Sequence, residues 1–476
     1  MSKSTASGSD TTAIPAGGGA TPRASLAVLG VKLRALDLFA PIRRHVHIPQ
    51  KTIRYSPIQK LWSCFVGILA GAAGVADTER VLRADPVLQA AFGCDGCAEQ
   101  STLQDTLDAC TPETIAGMEV ALTELLRQFG HAARHDFASG ELLLDIDLTG
   151  NPCGAKAACA TKGYFAGKKN QRGRQVGRVL ATEYNEVIAD QLFPGTTTLL
   201  KALEPLVLAA EERLALTAEQ RAQTIIRLDA GGGSVDAVNW LLERGYLVLC
   251  KDYSARRAAK LTESVRVWYP DAKEAGREVG WVTTPTTDYL KPVRRLAARY
   301  RKRSGQWGRE ALITNLPEAA AKRWVRHPKA SASTASQSQE HGPDQAELLS
   351  LTHFYDQRGG GCETSFQGDK QGLGMTHRNK KEFCAQQMLM LLGALAHNVL
   401  VWAKEWLLPA APRLAKYGTK RLVRDVLGIL GRVEWAEGQR VGQIRLTAAN
   451  PLARQLLSAF QQLVAATDVQ VILGPP

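Results

Sequence analysis

The chain has 476 residues, of which 45% are hydrophobic and 22% are charged. Because such a chain can bury a full core, the composition excludes a wholly disordered protein, a collagen-like protein and a small disulfide-stapled scaffold. Lys and Arg number 59 against 46 Asp and Glu, which gives a net charge of +13. This excess favours a polyanion as partner, most commonly nucleic acid. The length predicts two to four domains.

The cysteine pattern and the apolar runs indicate a cytoplasmic protein with no membrane span. Nine cysteines form an odd, thinly spread set, which is typical of a reducing compartment. The N-terminus has no apolar core of the kind a signal peptide needs. The runs 61–76 and 388–402 fall short of a membrane span, so we expect buried core helices in both places.

The first part of the chain divides into a polar tail and a helical region. Residues 1–25 consist mainly of small and polar types, which predicts disorder. Residues 26–135 show apolar positions three and four apart, which predicts helices. Thr111 is expected to cap a helix that begins at Pro112.

From Glu141 onward the pattern predicts strands alternating with helices, which is typical of an α/β fold. The expected strands are 142–147, 177–188, 224–229 and 246–250, with a helix over 235–244 and further strand candidates at 265–269 and 278–282. Residues 329–345 are of low complexity and predict a mobile linker. A long helix is expected over 364–408, followed by a tail with one strand-like and one helical stretch.

Three carboxylates stand where metal-dependent chemistry would place them. Asp147 and Asp229 each end a predicted strand, and Glu363 begins a predicted helix. Strand ends in an open α/β sheet line ligand crevices, and carboxylates are the ligands that Mg²⁺ prefers. Acidic residues at strand ends also commonly cap the following helix, and for any one residue alone that alternative is stronger. Asp145 faces the same side as Asp147 and is either a second ligand or a buried hydrogen-bonded neighbour.

The region around Glu363 resembles a known family signature. It contains Tyr355 and Arg358 in a Y-x2-R pattern and Glu363 and Lys370 in an E-x6-K pattern. This resembles the Y-R-E-K signature of Asp-Asp-Glu (DDE) transposases encoded by bacterial insertion sequences. Four residues rather than three separate Arg358 from Glu363, and we expect the three intervening glycines to absorb the extra one in a loop. Together with the segments around Asp147 and Asp229, the resemblance covers about residues 100–475.

The resemblance implies a fold, a reaction and a set of site residues. The fold would be a ribonuclease-H-like core over 136–475, with an inserted β-rich subdomain at about 255–350, preceded by a helical DNA-binding region at 26–135. Asp147, Asp229 and Glu363 would be catalytic and would hold Mg²⁺ or Mn²⁺, expected as two ions. Water would cut DNA at the transposon end, and the freed 3′-hydroxyl would attack target DNA. Tyr355, Arg358 and Lys370 would contact DNA.

Two basic clusters support a phosphate-binding role, although either could be a solvated face. The first lies between 160 and 178 and includes Lys168, Lys169, Arg172 and Arg174; the second runs from 291 to 303 and precedes Trp307. The pair Cys94 and Cys97 is a single CxxC without the further ligands that a structural zinc site needs.

The expected partner is double-stranded DNA, at terminal inverted repeats and at the target, with the chain acting as a homodimer in the bacterial cytoplasm and associated with the nucleoid when active. Two alternatives remain open. The first is a catalytically inactive DNA-binding descendant of a transposase, suggested by the extra residue before Glu363. The second is a nuclease on the same fold, which would cut without joining strands.

Overall fold

The structure, a computed structural model, describes residues 17–163, 165, 170–325, 342–437 and 440–475. Close contacts divide these residues into two compact units. One combines the residues up to Leu125 with those from Gly368 onward, and the other spans Leu126–Gln367. The predicted boundary of the catalytic domain at 136 lies near the first division. The second division separates the last hundred or so residues from the region that carries Asp147, Asp229 and Glu363.

The strands belong to two sheets, a large one in the unit Leu126–Gln367 and a small one in the other unit. The small sheet contains β1 (Gly19–Thr21), and the large sheet contains β2 (Leu142–Pro152), β3 (Thr161–Lys162), β4 (Arg172–Ala181), β5 (Glu186–Pro194), β6 (Thr224–Leu228), β7 (Leu247–Lys251), β8 (Tyr269–Pro270), β9 (Arg277–Trp281), β10 (Arg294–Arg301) and β11 (Trp307–Thr314). The small sheet is completed by β12 (Gly431–Ala436), β13 (Arg440–Thr447) and β14 (Gln470–Gly474).

The helices are also numbered in chain order, and the first six come before the strands of the large sheet. They are α1 (Ala24–Ala35), α2 (Ala40–His45), α3 (Pro57–Leu69), α4 (Pro86–Ala91), α5 (Gln100–Asp108), α6 (Pro112–Phe129), α7 (Leu199–Leu214), α8 (Ala218–Arg221), α9 (Val235–Glu243), α10 (Ala255–Glu263), α11 (Glu318–Trp324), α12 (Pro343–Asp356), α13 (Cys362–Gly372), α14 (Phe383–Leu407), α15 (Thr419–Arg421) and α16 (Pro451–Leu463). The predicted cap of α6 is confirmed, because the Thr114 amide donates to the Thr111 hydroxyl.

The large sheet is mixed. β2 lies parallel to β6, β6 lies parallel to β7, and β4 is antiparallel to both β2 and β5. Beyond β7 the order continues through β11, β10, β9 and β8, all in antiparallel pairs. The strands of the predicted β-rich insertion therefore extend the same sheet.

Strand β2 is apolar on both faces because helices cover both sides of the sheet. Leu142 and Ile146 belong to a core cluster that includes residues of α7 and α9. Leu143 points the other way, into a cluster that includes residues of α11 and α12. Since side chains alternate along a strand, Asp145 and Asp147 share the face of Leu143. The carboxylates of β2 therefore lie on the face of the sheet that α12 covers.

Several sequence predictions differ from the structure. The single strand predicted at 177–188 is wrong, because β4 and β5 form an antiparallel pair joined by a turn. The single helix predicted over 364–408 is also wrong, because α13 ends at Gly372 and α14 begins at Phe383. The tail contains three strands and one helix in its described part.

The disorder predicted over 1–25 is wrong for the last of these residues, which belong to β1 and α1. Residues 1–16 lie outside the described part of the chain, whereas Gly19–Thr21 pairs with β12 and α1 begins at Ala24. Of the predicted linker 329–345, residues 329–341 also lie outside the described part, and Pro343 already begins α12.

Helix α14 is the buried core helix that the run 388–402 predicts. Among the described residues it is the one helix long and apolar enough to cross a membrane, and 89% of its apolar window is buried. Burial of this kind is typical of a core helix. The run 61–76 includes most of α3, which is also largely buried.

Candidate active site

Asp147 and Asp229 lie side by side because β2 and β6 run parallel and in register. Asp145 is opposite Arg227 and Ile146 is opposite Leu228, so the next positions along the two strands are Asp147 and Asp229. The sequence prediction that these two carboxylates meet is consistent with this arrangement. Asp147 is not at the end of its strand, however, since β2 continues to Pro152.

The guanidinium of Arg358 lies against both carboxylates. Its Nη1 is 3.3 Å from Oδ2 of Asp147, and its Nη2 is 4.0 Å from Oδ2 of Asp229. The Arg358 side chain is only 15% exposed. The positive charge of Arg358 therefore partly balances the negative charges of Asp147 and Asp229.

The two carboxylates differ in their surroundings. The side chain of Asp147 is 17% exposed, and that of Asp229 is 39% exposed. Burial raises the pKa of Asp147; the charge of Arg358 opposes this rise and that of Asp229 adds to it. Each aspartate also accepts a backbone hydrogen bond, from Leu148 at 2.8 Å and from Gly231 at 2.7 Å respectively. These bonds fix the orientation of each carboxylate and leave its second oxygen toward Arg358.

Between Arg358 and Glu363 the chain passes from one helix to the next. α12 ends at Asp356, residues Gln357–Gly360 form a 3₁₀ turn, and α13 begins at Cys362. The expectation that the glycines absorb the extra residue before the helix agrees with this path. Gly361 is required for a steric reason, because a Cβ placed there would lie 1.8 Å from an Asp145 carboxylate oxygen.

The structure does not join Glu363 to the other two carboxylates. Glu363 lies in the first turn of α13 and is exposed. Among the described residues, no three His, Cys, Asp or Glu side chains are close enough together to hold a metal ion. Two of the three predicted metal ligands are therefore adjacent, and the third is on the neighbouring helix with its carboxylate toward solvent.

Tyr355 and Lys370 flank this segment. Tyr355 is half-buried, and burial raises its pKa, with the charge of Arg358 acting in the opposite direction. Lys370 is seven residues after Glu363 on α13, so the two side chains share a face of that helix.

Asp145 is a buried hydrogen-bonded neighbour, which is one of the two alternatives left open by the sequence. It is fully buried and makes a two-bond ion pair with Arg227, at 2.7 and 2.8 Å. The Thr182 hydroxyl donates to its Oδ2 at 2.8 Å. Both oxygens are thus committed within the protein, so the possible role of Asp145 as a metal ligand has no support in this arrangement.

The first basic cluster is largely inside the sheet. Arg174 is fully buried and donates to the Ala158 carbonyl at 2.7 Å, and Arg178 is 1% exposed. Arg178 is buried against Asp190 of β5 and against Ser365 and Phe366 of α13. Arg172 is exposed and donates to the Ala160 carbonyl at 3.3 Å. Lys168 and Lys169 lie outside the described residues.

The second basic cluster combines arginines with tryptophans on one face of β10. The Arg299 guanidinium lies 4.3 Å from the ring centre of Trp268 and 5.1 Å from that of Trp307. Arg301 lies 4.2 Å from the same Trp307 ring. Trp307 is 37% exposed. The prediction from the sequence noted Trp307 but not Trp268, because Trp268 lies on a different segment of the chain, just before β8.

The cysteines show no sign of a metal or disulfide framework. All nine are within the described residues, and each is a free thiol. Burial raises the pKa of the Cys94 thiol to about 12 and that of the Cys97 thiol to about 11. Since the thiolate is the form that binds metal, these two residues are typical of inert buried cysteines.

These features define an α/β protein with two adjacent acidic residues on neighbouring parallel strands of a mixed sheet. A family model described as transposase DDE domain group 1 matches residues 5–468, which is nearly the whole chain. The chain therefore belongs to this family of transposases. A structure titled as a cryo-EM structure of the piggyBac transposase synaptic complex with hairpin DNA is similar, with a TM-score of 0.44 and 11% identity, over 86% of this chain and 81% of that one. No curated protein matches.

Proposed function

We propose that this chain cuts DNA at transposon ends and joins the freed 3′ end to target DNA. The observation that carries the proposal is the register of β2 and β6, which sets Asp147 beside Asp229 with a cation between them. Two partly accessible carboxylates that share one cation form a donor set suited to Mg²⁺ or Mn²⁺. Membership of a DDE transposase family supports the same reaction.

Asp147, Asp229 and Glu363 would hold the metal ions, expected as two. When bound, such ions activate an attacking oxygen and stabilise the leaving one. For Glu363 to take part, the first turn of α13 must turn its carboxylate from solvent toward the other two. Arg358 would exchange its contacts with Asp147 and Asp229 for a DNA phosphate, which a guanidinium binds through paired hydrogen bonds. Tyr355 and Lys370 would contact the same strand.

The fold supports this assignment through a five-strand subset of the large sheet. β2, β4 and β5 form an antiparallel meander, and β6 and β7 add in parallel beside β2. We infer that this subset is the ribonuclease-H-like core that the family resemblance implies. The helical residues 26–135 would bind the transposon ends, and pairing of two ends would require a homodimer.

The arginine–tryptophan face of β10 would contribute to DNA binding. Indole rings stack on bases, and the neighbouring arginines attract phosphates. Replacing Trp307 with Ala should weaken binding of DNA with an unpaired end by about tenfold. Leu290→Ala, at another exposed apolar residue of the same unit, is the matched control. Equal affinities of the two variants in a fluorescence-anisotropy titration would remove this face from the DNA-binding surface.

The direct test of the proposal is cleavage of DNA that carries the element's terminal repeats. Asp229→Ala should abolish Mg²⁺-dependent cleavage and leave end binding intact, because only the metal-holding carboxylate is lost. Asp236→Ala, an exposed residue in the first turn of α9, is the matched control and should cut normally. Undiminished cutting by Asp229→Ala would overturn the proposal.

The exposure of Glu363 favours a second candidate, a DNA-binding descendant that no longer cuts. In that case the wild-type chain would bind terminal repeats but would show no Mg²⁺-dependent cleavage, and Glu363→Gln would change nothing. A nuclease on the same fold is distinguished by its products, since it would cut without end specificity and would give no joined strands.

A further inference from the structure

Two buried arginines tie the sheet to the segment that carries Tyr355, Arg358 and Glu363. Arg227 on β6 and Arg178 on β4 are each 1% exposed. Arg227 pairs with Asp145, which is opposite it on β2. Arg178 pairs with Asp190, which is opposite it on β5, at 2.8 and 2.7 Å. Each pair uses the Nε and Nη2 edge of the guanidinium.

In both arginines, Nη1 reaches beyond the sheet to the same segment, at its two ends. Nη1 of Arg227 donates to the Phe354 carbonyl at 2.5 Å, immediately before Tyr355. Nη1 of Arg178 donates to the Ser365 hydroxyl at 2.8 Å, two residues after Glu363. Each guanidinium also faces an aromatic ring. Arg227 lies 4.9 Å from the ring centre of Phe354, and Arg178 lies 4.6 Å from that of Phe366. The two arginines therefore hold the segment from either side.

Between these two contacts the segment lies directly on β2. Gly361 leaves no room for a Cβ against Asp145, and the Cys362 thiol donates to the Asp145 carbonyl at 3.1 Å. The segment is thus fixed at both ends and in its middle. Arginine suits this task because its planar fork can make two parallel bonds to a carboxylate along one edge and still donate elsewhere, whereas the ammonium of lysine lacks such a two-donor edge.

We propose that Arg178 and Arg227 are positioning residues that set where Arg358 and Glu363 lie relative to Asp147 and Asp229. The inference rests on the proposed function, since it concerns how the same site is assembled. Neither arginine would contact DNA or metal. Each would act through the segment, so that loss of its outer hydrogen bond would alter metal use more than folding.

Ser365→Ala is the sharpest variant, because it removes the outer hydrogen bond of Arg178 and leaves the Arg178–Asp190 pair in place. We expect the Mn²⁺ concentration for half-maximal cleavage to rise roughly three- to tenfold, the range expected for one lost hydrogen bond. The rate at saturating Mn²⁺ and the affinity for end DNA should stay close to wild type. Ser365→Thr restores a hydroxyl and should restore the metal dependence.

Arg227→Lys extends the test to the other end of the segment. Its matched control is Arg295→Lys, the same change at a buried arginine of the same sheet that donates to the Thr284 and Pro285 carbonyls. Hydrogen–deuterium exchange of the full chain should accelerate over 355–368 in Arg227→Lys and in Ser365→Ala, and not in Arg295→Lys. Acceleration throughout the chain in all three variants would mean a general structural role and would overturn the proposal.

Failure of this inference can be told apart from failure of the proposed function. If the wild-type chain cuts DNA and Ser365→Ala shows unchanged metal dependence, the positioning role is wrong and the function stands. If the wild-type chain does not cut, Mn²⁺ binding followed by electron paramagnetic resonance still decides the positioning role. Weaker binding in Ser365→Ala would support it, and equal binding would overturn it.

Discussion

Asp145 and Asp147 are two residues apart on the same face of β2, yet they belong to different ionic groups. Asp145 belongs to a buried set of two separate pairs, Asp145 with Arg227 and Asp190 with Arg178. Asp147 is part of an accessible set with Asp229 and Arg358. The buried set is closed, with paired guanidinium–carboxylate bonds. The accessible set is looser, at 3.3 and 4.0 Å, and is shielded less from solvent. We infer that burial and ion pairing, more than residue type or spacing, determine which of these two carboxylates could bind a metal ion.

The largest effect should come from Asp147→Asn. Because the amide cannot replace a carboxylate that holds a divalent cation, cleavage should fall by at least about a thousandfold. End binding and unfolding by urea should change little, since Asp147 has only loose ionic contacts. Single-turnover cleavage with saturating Mg²⁺ measures the first, and a denaturation curve measures the second. Loss of folding with retained specific activity would reverse the assignment of the two aspartates.

Asp145→Asn should do the opposite. Replacing this carboxylate leaves the buried guanidinium of Arg227 without its counter-charge, which typically costs about 3–5 kcal/mol in the free energy of unfolding. The loss should appear as a lower urea midpoint with an unchanged slope. A variant as stable as the wild type would mean that the Asp145–Arg227 pair does not anchor the sheet.

Arg358→Gln separates the two roles of the bridging arginine. Removing the cation that lies against Asp147 and Asp229 should strengthen Mn²⁺ binding several-fold in the absence of DNA, because the metal no longer displaces a guanidinium. The same change should weaken DNA binding, since a phosphate contact is lost. Lys381→Gln, at an exposed lysine outside this site, is the control. Unchanged Mn²⁺ affinity would show that Arg358 does not compete with metal.

The smallest effect concerns pH in metal-free buffer. Burial raises the pKa of Asp147 in the folded chain above its unfolded value of about 3.9. The folded state therefore holds the Asp147 proton more tightly than the unfolded state does, which stabilises the fold at low pH. This stabilisation is fully present below the unfolded pKa and is lost as pH rises through the raised pKa. Asp147→Asn lacks this loss, so its stability relative to wild type should increase from about pH 4 upward. Urea unfolding with a chelator present checks the trend, and a decrease would contradict the raised pKa.

The sequence predicted that Asp147 and Asp229 act together, from two expected strand ends and from the family resemblance. It did not predict the parallel register of β2 and β6, or that β2 continues past Asp147 to Pro152. It could not distinguish Asp145 from Asp147. That difference depends on Gly361 and Cys362, which are more than two hundred residues away and pack against Asp145. Long-range packing of this kind leaves no local signal.

The basic residues illustrate the same limit. Arg174 and Arg178 belong to a run of positive charge that is typical of a phosphate-binding surface, but both are buried and bonded within the protein, Arg174 to the Ala158 carbonyl and Arg178 to Asp190. The single strand predicted over 177–188 could not place Asp190 opposite Arg178, as the turn between β4 and β5 does. One signal was available for Arg227, since a charged residue within the apolar run of β6 indicates a buried partner.

We propose that Asp147 and Asp229 together hold the metal on which DNA cleavage depends. The most direct measurement is anomalous diffraction from Mn²⁺-containing crystals of the chain bound to its terminal-repeat DNA. We expect Mn²⁺ coordinated by both aspartates, with Glu363 turned inward and Arg358 moved onto a phosphate. Arg358 still seated between the two aspartates, with no Mn²⁺ beside them, would contradict it.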